Sequence, residues 1–170
     1  AALTHGTGDW TLRLLLLSLA MTPLRLLIRK SWPIRFRRLI GLYAFFYASL
    51  HFAVYLFLDL GSYWSQIGAD IVKRPFITVG FTAWLLLIPL AVTSNQWMMR
   101  RLKRNWQKLH KLVYAIGILG VLHYWWLVKS DVREPLMYAG ILLLLFSMRF
   151  WHKHKTKKNR KNETNNHALP

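Results

Sequence analysis

Apolar residues in this chain gather into long continuous runs that short polar segments separate. Five runs approach the ~20 residues that an α-helix needs to cross ~30 Å of hydrocarbon. They cover residues 10–28, 39–58, 76–92, 109–128 and 135–151. Membrane β-strands would alternate apolar and polar residues, whereas a helix satisfies its own backbone polar groups in lipid. The pattern therefore predicts an all-α membrane protein, with a helical bundle of five spans within residues 1–152 and a basic, disordered tail over residues 153–170.

The basic residues lie in alternate polar segments. The chain holds 24 Lys and Arg against 6 Asp and Glu, a formal net charge of +18. Segments 29–38 and 100–111 are basic and contain no acid, and the tail is rich in lysine. Five of the six acids occupy the other segments, namely Asp9, Asp59, Asp70, Asp131 and Glu134. The positive-inside rule then places the basic segments and the C-terminus of this multi-pass protein in the cytoplasm. The charge thus indicates topology and contact with membrane lipid, and we expect no nucleic-acid partner.

Missing residue types exclude several redox classes. The chain has no cysteine, which excludes disulfides, cysteine-ligated iron–sulfur clusters and covalent haem attachment through C-x-x-C-H. No G-x-G-x-x-G or other nucleotide-binding motif is present, so we expect no direct oxidation of NAD(P)H. No catalytic residue is predicted. A Leu-His pattern recurs around three histidines, but no internal repeat is otherwise evident.

Those three histidines are the candidate site residues, because an ionisable side chain within membrane spans is a functional candidate by default. His51 lies inside the second run, His110 opens the fourth run, and His123 lies inside the fourth. Both runs begin on the same side of the membrane, so His51 and His123 reach a similar depth, roughly 18–20 Å from that side. Imidazole is a good axial ligand of haem iron. We predict that His51 and His123 together ligate one b-type haem near the outer surface.

The inner side of the predicted bundle offers a second candidate site. His110 either ligates a second haem or is an interfacial residue, and an ideal helix would place it about 140° around the axis from His123. Arg37 precedes His51 by 14 residues, on nearly the same helix face and at the depth of His110. Arginine is a poor iron ligand because it stays protonated. Arg37 or Arg38 is instead a candidate partner for haem propionates, a flavin or a phosphate, with a snorkelling surface arginine as the alternative. The remaining histidines are expected on the surface: His5, His152, His154 and His167.

Short motifs throughout the chain resemble those of the ferric-reductase-like transmembrane family, and in particular its haem-binding subunits of methionine sulfoxide reductase systems. They are T-H-G-T-G at 4–8, M-T-P-L-R at 21–25, I-R-F-R-R-L-I-G-L at 34–42, L-H-F at 50–52, R-P-F at 74–76, L-A-V-T-S at 90–94, W-Q-K-L-H-K-L-V-Y at 106–114 and H-Y-W-W at 123–126. The resemblance implies six helices, and hence a further helix before the five drawn here. It also implies haem b at His51, His110 and His123, and an association with FMN. Broader members of the family carry four haem histidines, and Arg37 stands where the fourth would fall.

The resemblance further implies a role and partners. Electrons would come from the quinone pool or a cytoplasmic flavin reductase and pass to MsrP, a periplasmic molybdenum enzyme that reduces methionine sulfoxide in oxidised proteins. The leading interpretation is therefore an electron-transfer subunit rather than a complete enzyme. One alternative is a self-standing ferric or oxygen reductase of the cytochrome b type. The other is a haem-free, proton-coupled transporter, which would need acids that the apolar runs lack.

Overall fold

Every regular element in the described part of the chain is a helix. A computed structural model describes residues 2–59, 65, 67–128 and 132–166, with side chains for 3–58, 65, 67–69, 71–128 and 132–156. The helices are α1 (Ala2–Ile28), α2 (Trp32–Val54), α3 (Ile67–Lys73), α4 (Pro75–Val92), α5 (Gln96–Leu102), α6 (Arg104–Leu109), α7 (Leu112–Leu127) and α8 (Arg133–Asn166). A five-residue π-helical turn, Tyr55–Asp59, continues α2. These helices confirm the predicted all-α fold.

Five of these helices correspond to the five apolar runs. In the described part of the chain, four segments are long and apolar enough to cross a membrane: Leu3–Ile28, Trp32–Leu58, Pro75–Val92 and Arg133–Thr156. The helix between the last two, α7, has 16 residues, which corresponds to about 24 Å at ~1.5 Å per residue. Large apolar side chains on the outer faces are exposed, as expected for helices that contact lipid. Examples are Phe46, Leu85, Leu143, Leu144 and Phe150.

Helix boundaries differ from the predicted runs at three places. The first helix begins at Ala2 rather than at residue 10, so Asp9 lies on α1 and not in a connecting segment. The polar start is compatible with a helix because Thr7 and Thr11 donate their hydroxyl hydrogens to carbonyls one turn earlier, at 2.8 and 2.9 Å. Helix α7 begins at Leu112, and the helix α8 continues past residue 152 to Asn166. Disorder of the tail stays a prediction, and residues 167–170 lie outside the described residues.

The core forms where α1 packs against α2, α7 and α8. Four leucines of α1 are buried at the i, i+3, i+4, i+7 spacing of one helix face: Leu12, Leu15, Leu16 and Leu19. On α2 the facing residues include Ala44 and Ala48, whose small side chains let the two helices approach closely. Helix α4 packs mainly against α7. Two helix pairs, α1 with α2 and α4 with α7, therefore make up the bundle around the candidate site.

Candidate functional site

A cavity of about 380 Å³ lies among α1, α2, α4 and α7. This volume is within the ~300–1,000 Å³ range of small-molecule and cofactor sites. Most of the lining residues are apolar, including Leu12, Leu15, Ala48, Phe52, Phe76, Ile77, Phe81, Trp84, Leu87, Ile116 and Leu127. The polar lining residues are Thr4, His5, Asp9, Thr11, His51, Tyr55, Arg74, His123 and Tyr124. The cavity therefore has an apolar body with a few polar groups, the arrangement expected for a bound cofactor.

His51 of α2 and His123 of α7 both line this cavity. Their ring centroids are 6.1 Å apart, and the ring planes are inclined by 81°. A bond from imidazole nitrogen to a metal is about 2 Å long, and that nitrogen lies about 1 Å from the ring centre, so two imidazoles on opposite sides of one iron have centroids about 6 Å apart. The separation of the two rings thus fits ligation of a single iron from both sides.

Each imidazole is oriented by a backbone carbonyl of a neighbouring helix. Nδ1 of His51 lies 2.9 Å from the carbonyl oxygen of Thr4 on α1, and Nδ1 of His123 lies 2.7 Å from that of Phe76 on α4. Because a carbonyl only accepts, each Nδ1 carries the proton and donates it. The lone pair in this tautomer is on Nε2, the nitrogen through which such a histidine ligates a metal.

Two glycines make room for the imidazoles. A Cβ atom added to Gly8 on α1 would lie 3.2 Å from Cε1 of His51, and one added to Gly80 on α4 would lie 2.7 Å from both Cε1 and Nδ1 of His123. Contacts under about 3.5 Å between carbon atoms are repulsive. Each ring therefore packs directly against the backbone of the helix that also supplies its carbonyl acceptor.

An aromatic cluster forms part of the cavity wall. The ring of Phe52 lies 4.7 Å from that of Trp84 and 5.5 Å from that of Phe81, centroid to centroid. The indole N–H of Trp84 donates to the hydroxyl of Ser49 at 3.1 Å, which satisfies its polar group. These rings form an apolar wall on one side of the site.

The other predicted site residues lie at a different end of the bundle, which we call the basic end and define by Arg37, His110 and Arg149. His110 follows α6 and precedes α7, so helix periodicity does not relate it to His123. Its ring stacks on Trp106 with centroids 4.0 Å apart, its Nδ1 lies 3.1 Å from the Trp106 carbonyl, and its Nε2 is buried. Burial lowers the pKa of His110, and the nearby Arg37 charge lowers it further, although hydrogen bonds to the backbone of Trp106 and of Leu90 oppose both.

The structure separates the two candidate arginines. Arg37 is half-buried and lies near Arg149 and Tyr114. Arg38 is exposed, so its side chain points away from this cluster.

Several residues at the two sites carry no role in the sequence analysis. Gly8 and the Thr4 carbonyl lie in the T-H-G-T-G motif, and the Phe76 carbonyl belongs to the R-P-F motif. Both motifs are recognisable in the sequence, but no function is assigned to them there. No motif contains Gly80 or Arg149. His5 is exposed, as expected, and it also lines the cavity. His152 and His154 are exposed as expected, and His167 lies outside the described residues.

Known proteins resemble this chain over most of its length. Residues 7–121 match the family model described as ferric reductase like transmembrane component. A protein-methionine-sulfoxide reductase heme-binding subunit MsrQ from Xanthomonas campestris pv. campestris (strain 8004) is 60% identical over 170 residues, which are 100% of this chain and 76% of that protein. The MsrQ of Xanthomonas axonopodis pv. citri (strain 306) is 63% identical over 153 residues, or 90% of this chain and 70% of that protein.

A more distant MsrQ, from Herminiimonas arsenicoxydans, is 50% identical over 161 residues, covering 92% of this chain and 74% of that protein. No solved structure matches the chain. The family model covers more than half of the chain, and the chain in turn covers more than two thirds of each of these relatives. The chain therefore belongs to the ferric-reductase-like transmembrane family and, within it, to the MsrQ subunits.

Proposed function

We propose that this chain is a membrane electron-transfer subunit that binds haem b through His51 and His123 and serves a methionine sulfoxide reductase. The observation that carries the proposal is the pair of imidazoles, 6.1 Å apart in one cavity and each held through Nδ1 by a helix carbonyl. The names of the MsrQ relatives, which describe heme-binding subunits, agree with it. Bound haem b would supply reversible one-electron chemistry at this position.

The protein contributes ligands, orientation and exclusion of water. The two carbonyls of Thr4 and Phe76 keep the ring tautomers that a metal requires, and they make the imidazoles more electron-donating. The aromatic cluster around Trp84 keeps the cavity apolar. Among the lining side chains, the guanidinium of Arg74 is the cationic candidate for holding haem propionates.

A direction of transfer follows from the placement of charge. We propose that the basic end faces the cytoplasm and that the C-terminus is cytoplasmic, because the basic segments lie there. Electrons from the quinone pool or a cytoplasmic flavin reductase would enter around His110, through a second haem b or an FMN. They would leave from the end that carries His51 and His123 for MsrP, the periplasmic molybdenum enzyme. The burial of Nε2 of His110, whose Nδ1 is turned toward the Trp106 carbonyl, supports a ligand role at the inner position.

Haem content of single variants tests the ligand assignment. We expect His51→Ala and His123→Ala each to lose the low-spin b-type absorption spectrum and most of the haem measured as pyridine haemochrome. The matched control is His152→Ala, because His152 is exposed on α8. Normal haem content with an unchanged low-spin spectrum in either ligand variant would refute the assignment. A wild-type protein without any haem would instead favour the transporter class.

A stopped-flow experiment tests the partner. The cytochrome is reduced in membranes, mixed with oxidised MsrP and a methionine sulfoxide substrate, and followed by its α-band absorbance. We expect reoxidation to accelerate only when both the enzyme and its substrate are present. Equal reoxidation rates with and without MsrP would favour the self-standing reductase.

A further inference from the structure

The helix that carries His123 ends soon after this residue. Helix α7 ends at Leu127, one turn beyond His123, and Val128 already has an extended backbone conformation. The last carbonyls of a helix have no partner within it, so a helix end depends on contacts with its surroundings. His51 differs, because α2 and its π-helical turn continue as far as Asp59. The position of His123 therefore depends on what anchors the end of α7.

Tyr124, the next residue after His123, connects the end of α7 to α8. Its hydroxyl donates to Oε2 of Glu134 at 2.5 Å, and its ring lies against that of Tyr138, with centroids 5.9 Å apart and planes inclined by 60°. Glu134 lies in the first turn of α8, where the positive end of the helix dipole favours a carboxylate. A hydrogen bond to a carboxylate is roughly twice as strong as one between neutral groups.

The same part of α8 is also connected to α1. Tyr138, one turn after Glu134, is buried, and its hydroxyl accepts a hydrogen bond from Nε of Arg13 at 3.1 Å. Helix α1 packs with α2, which carries His51, whereas α7 packs with α4. The first turns of α8 thus contact both helix pairs of the bundle, at the end where the two histidines lie.

We propose that Tyr124 is a positioning residue for His123, and that its hydrogen bond to Glu134 keeps the imidazole of His123 at its 6.1 Å separation from that of His51. The inference rests on the proposed haem ligation. Tyr124 also lines the cavity, but Glu134 binds its hydroxyl, so its part in the site is to hold the end of α7. Without this bond, the last turn of α7 would move more freely and the imidazole would leave the iron more often.

Binding of carbon monoxide to the reduced holoprotein measures how often an axial histidine leaves the iron, because a six-coordinate haem must lose one ligand before it binds another. Tyr124→Phe keeps the ring and removes only the hydroxyl. We expect it to raise the association rate of carbon monoxide roughly tenfold, as one charge-assisted hydrogen bond is lost. Tyr43→Phe is the matched control, because Tyr43 is exposed on α2. Ser49→Ala, which also loses one hydrogen bond, controls for general destabilisation. Both controls should keep the wild-type rate.

Variants of Glu134 test whether the hydroxyl acts through this carboxylate. Glu134→Ala should raise the association rate as much as Tyr124→Phe does, and the double variant should bind carbon monoxide no faster than either single variant. Glu134→Gln keeps an acceptor but not the charge, so its rate should lie between those of the wild type and Glu134→Ala. Additive effects in the double variant would overturn the inference, as would a wild-type rate in Tyr124→Phe.

Hydrogen exchange of the backbone amides in the last turn of α7 supplies a measurement that does not involve haem. Exchange there should be faster in Tyr124→Phe than in the wild type and unchanged in Tyr43→Phe. The proposed ligation would fail separately, if His123→Ala kept the low-spin spectrum. In that case faster exchange in Tyr124→Phe would still support the anchoring of His123, and unchanged exchange would overturn it.

Discussion

Substituting alanine for Gly80 adds one methyl group at the closest backbone approach to His123. The new Cβ would lie 2.7 Å from both Cε1 and Nδ1 of the imidazole and 3.2 Å from Cγ. Ordinary contact between such atoms is about 3.5–4.0 Å. The ring must therefore move by roughly 1 Å, since the helix backbone cannot move without disturbing its own hydrogen bonds.

A movement of this size affects two interactions. The hydrogen bond from Nδ1 of His123 to the Phe76 carbonyl, now 2.7 Å long, would stretch beyond the ~3.2 Å upper end of normal N–H···O distances. Overpacking of this kind costs about 1–3 kcal/mol, part of it from the lost hydrogen bond and part from a strained rotamer. The separation of 6.1 Å between the His51 and His123 rings would also change by a large fraction of a metal–nitrogen bond, about 2 Å.

We expect Gly80→Ala to lose the six-coordinate low-spin spectrum, leaving high-spin or depleted haem, and to unfold at a lower temperature than the wild type. Absorption and electron paramagnetic resonance spectra, haem content and a thermal melt measure these changes. Gly8→Ala should show a weaker effect of the same kind, because its Cβ would lie 3.2 Å from His51. Gly140→Ala is the control, since no atom lies within 4 Å of its added Cβ. A low-spin spectrum, haem content and melting temperature in Gly80→Ala equal to those of the control would refute the packing argument.

Three further variants test separate parts of the structure. Ser49→Ala orphans the indole N–H of Trp84, now bonded at 3.1 Å, and should destabilise the bundle by about 1–3 kcal/mol in a thermal melt without changing the haem spectrum; a wild-type melt would show that the indole finds another acceptor. Thr7→Val removes the hydroxyl that lies 3.3 Å from Nδ1 of His51. The haem content should stay unchanged, and a redox titration should show a reduction potential raised by at most tens of millivolts, because the imidazole loses one weak hydrogen-bond acceptor worth ~1 kcal/mol. His110→Ala should slow reduction by quinol or by a flavin reductase while the His51 site keeps its low-spin spectrum, and an unchanged rate would make His110 an interfacial residue only.

The helices could be predicted from the sequence because burial in lipid demands long apolar runs, and such runs are visible without any tertiary information. The start of α1 could not be predicted in this way, because residues 4–9 are all polar or glycine. A hydropathy pattern counts a threonine as polar, although its hydroxyl can donate to the carbonyl one turn earlier and so be satisfied inside the helix. The position of His110 relative to His123 could not be predicted from helix periodicity either. Lys103 adopts a positive φ of 47° between α5 and α6. His110 lies after α6 and before α7, so it is not on the same helix as His123. The rotation of 100° per residue in a continuous helix therefore does not apply between His110 and His123.

The contacts of the two histidines occur at the same spacing along the chain, although the residue that supplies the carbonyl differs in type. Thr4, Gly8 and His51 have counterparts 72 residues later in Phe76, Gly80 and His123. In both sets the backbone carbonyl of the first residue, which we call residue i, accepts a hydrogen bond from the imidazole that lies 47 residues later in the chain. The glycine is residue i+4 in both sets.

The spacing of carbonyl and glycine has a physical reason. A helix carbonyl has a second lone pair besides the one used by the N–H of residue i+4, but the side chain of that residue leans back toward the helix N-terminus and covers it. With glycine at i+4, the carbonyl is open to an outside donor, and the imidazole can lie against the backbone. The hydrogen bond itself uses only the main-chain carbonyl of Thr4 or Phe76, so it does not require one particular side chain there. The two helix pairs, α1 with α2 and α4 with α7, thus each supply one acceptor, one glycine and one histidine, and the paired imidazoles result from applying the same contact twice.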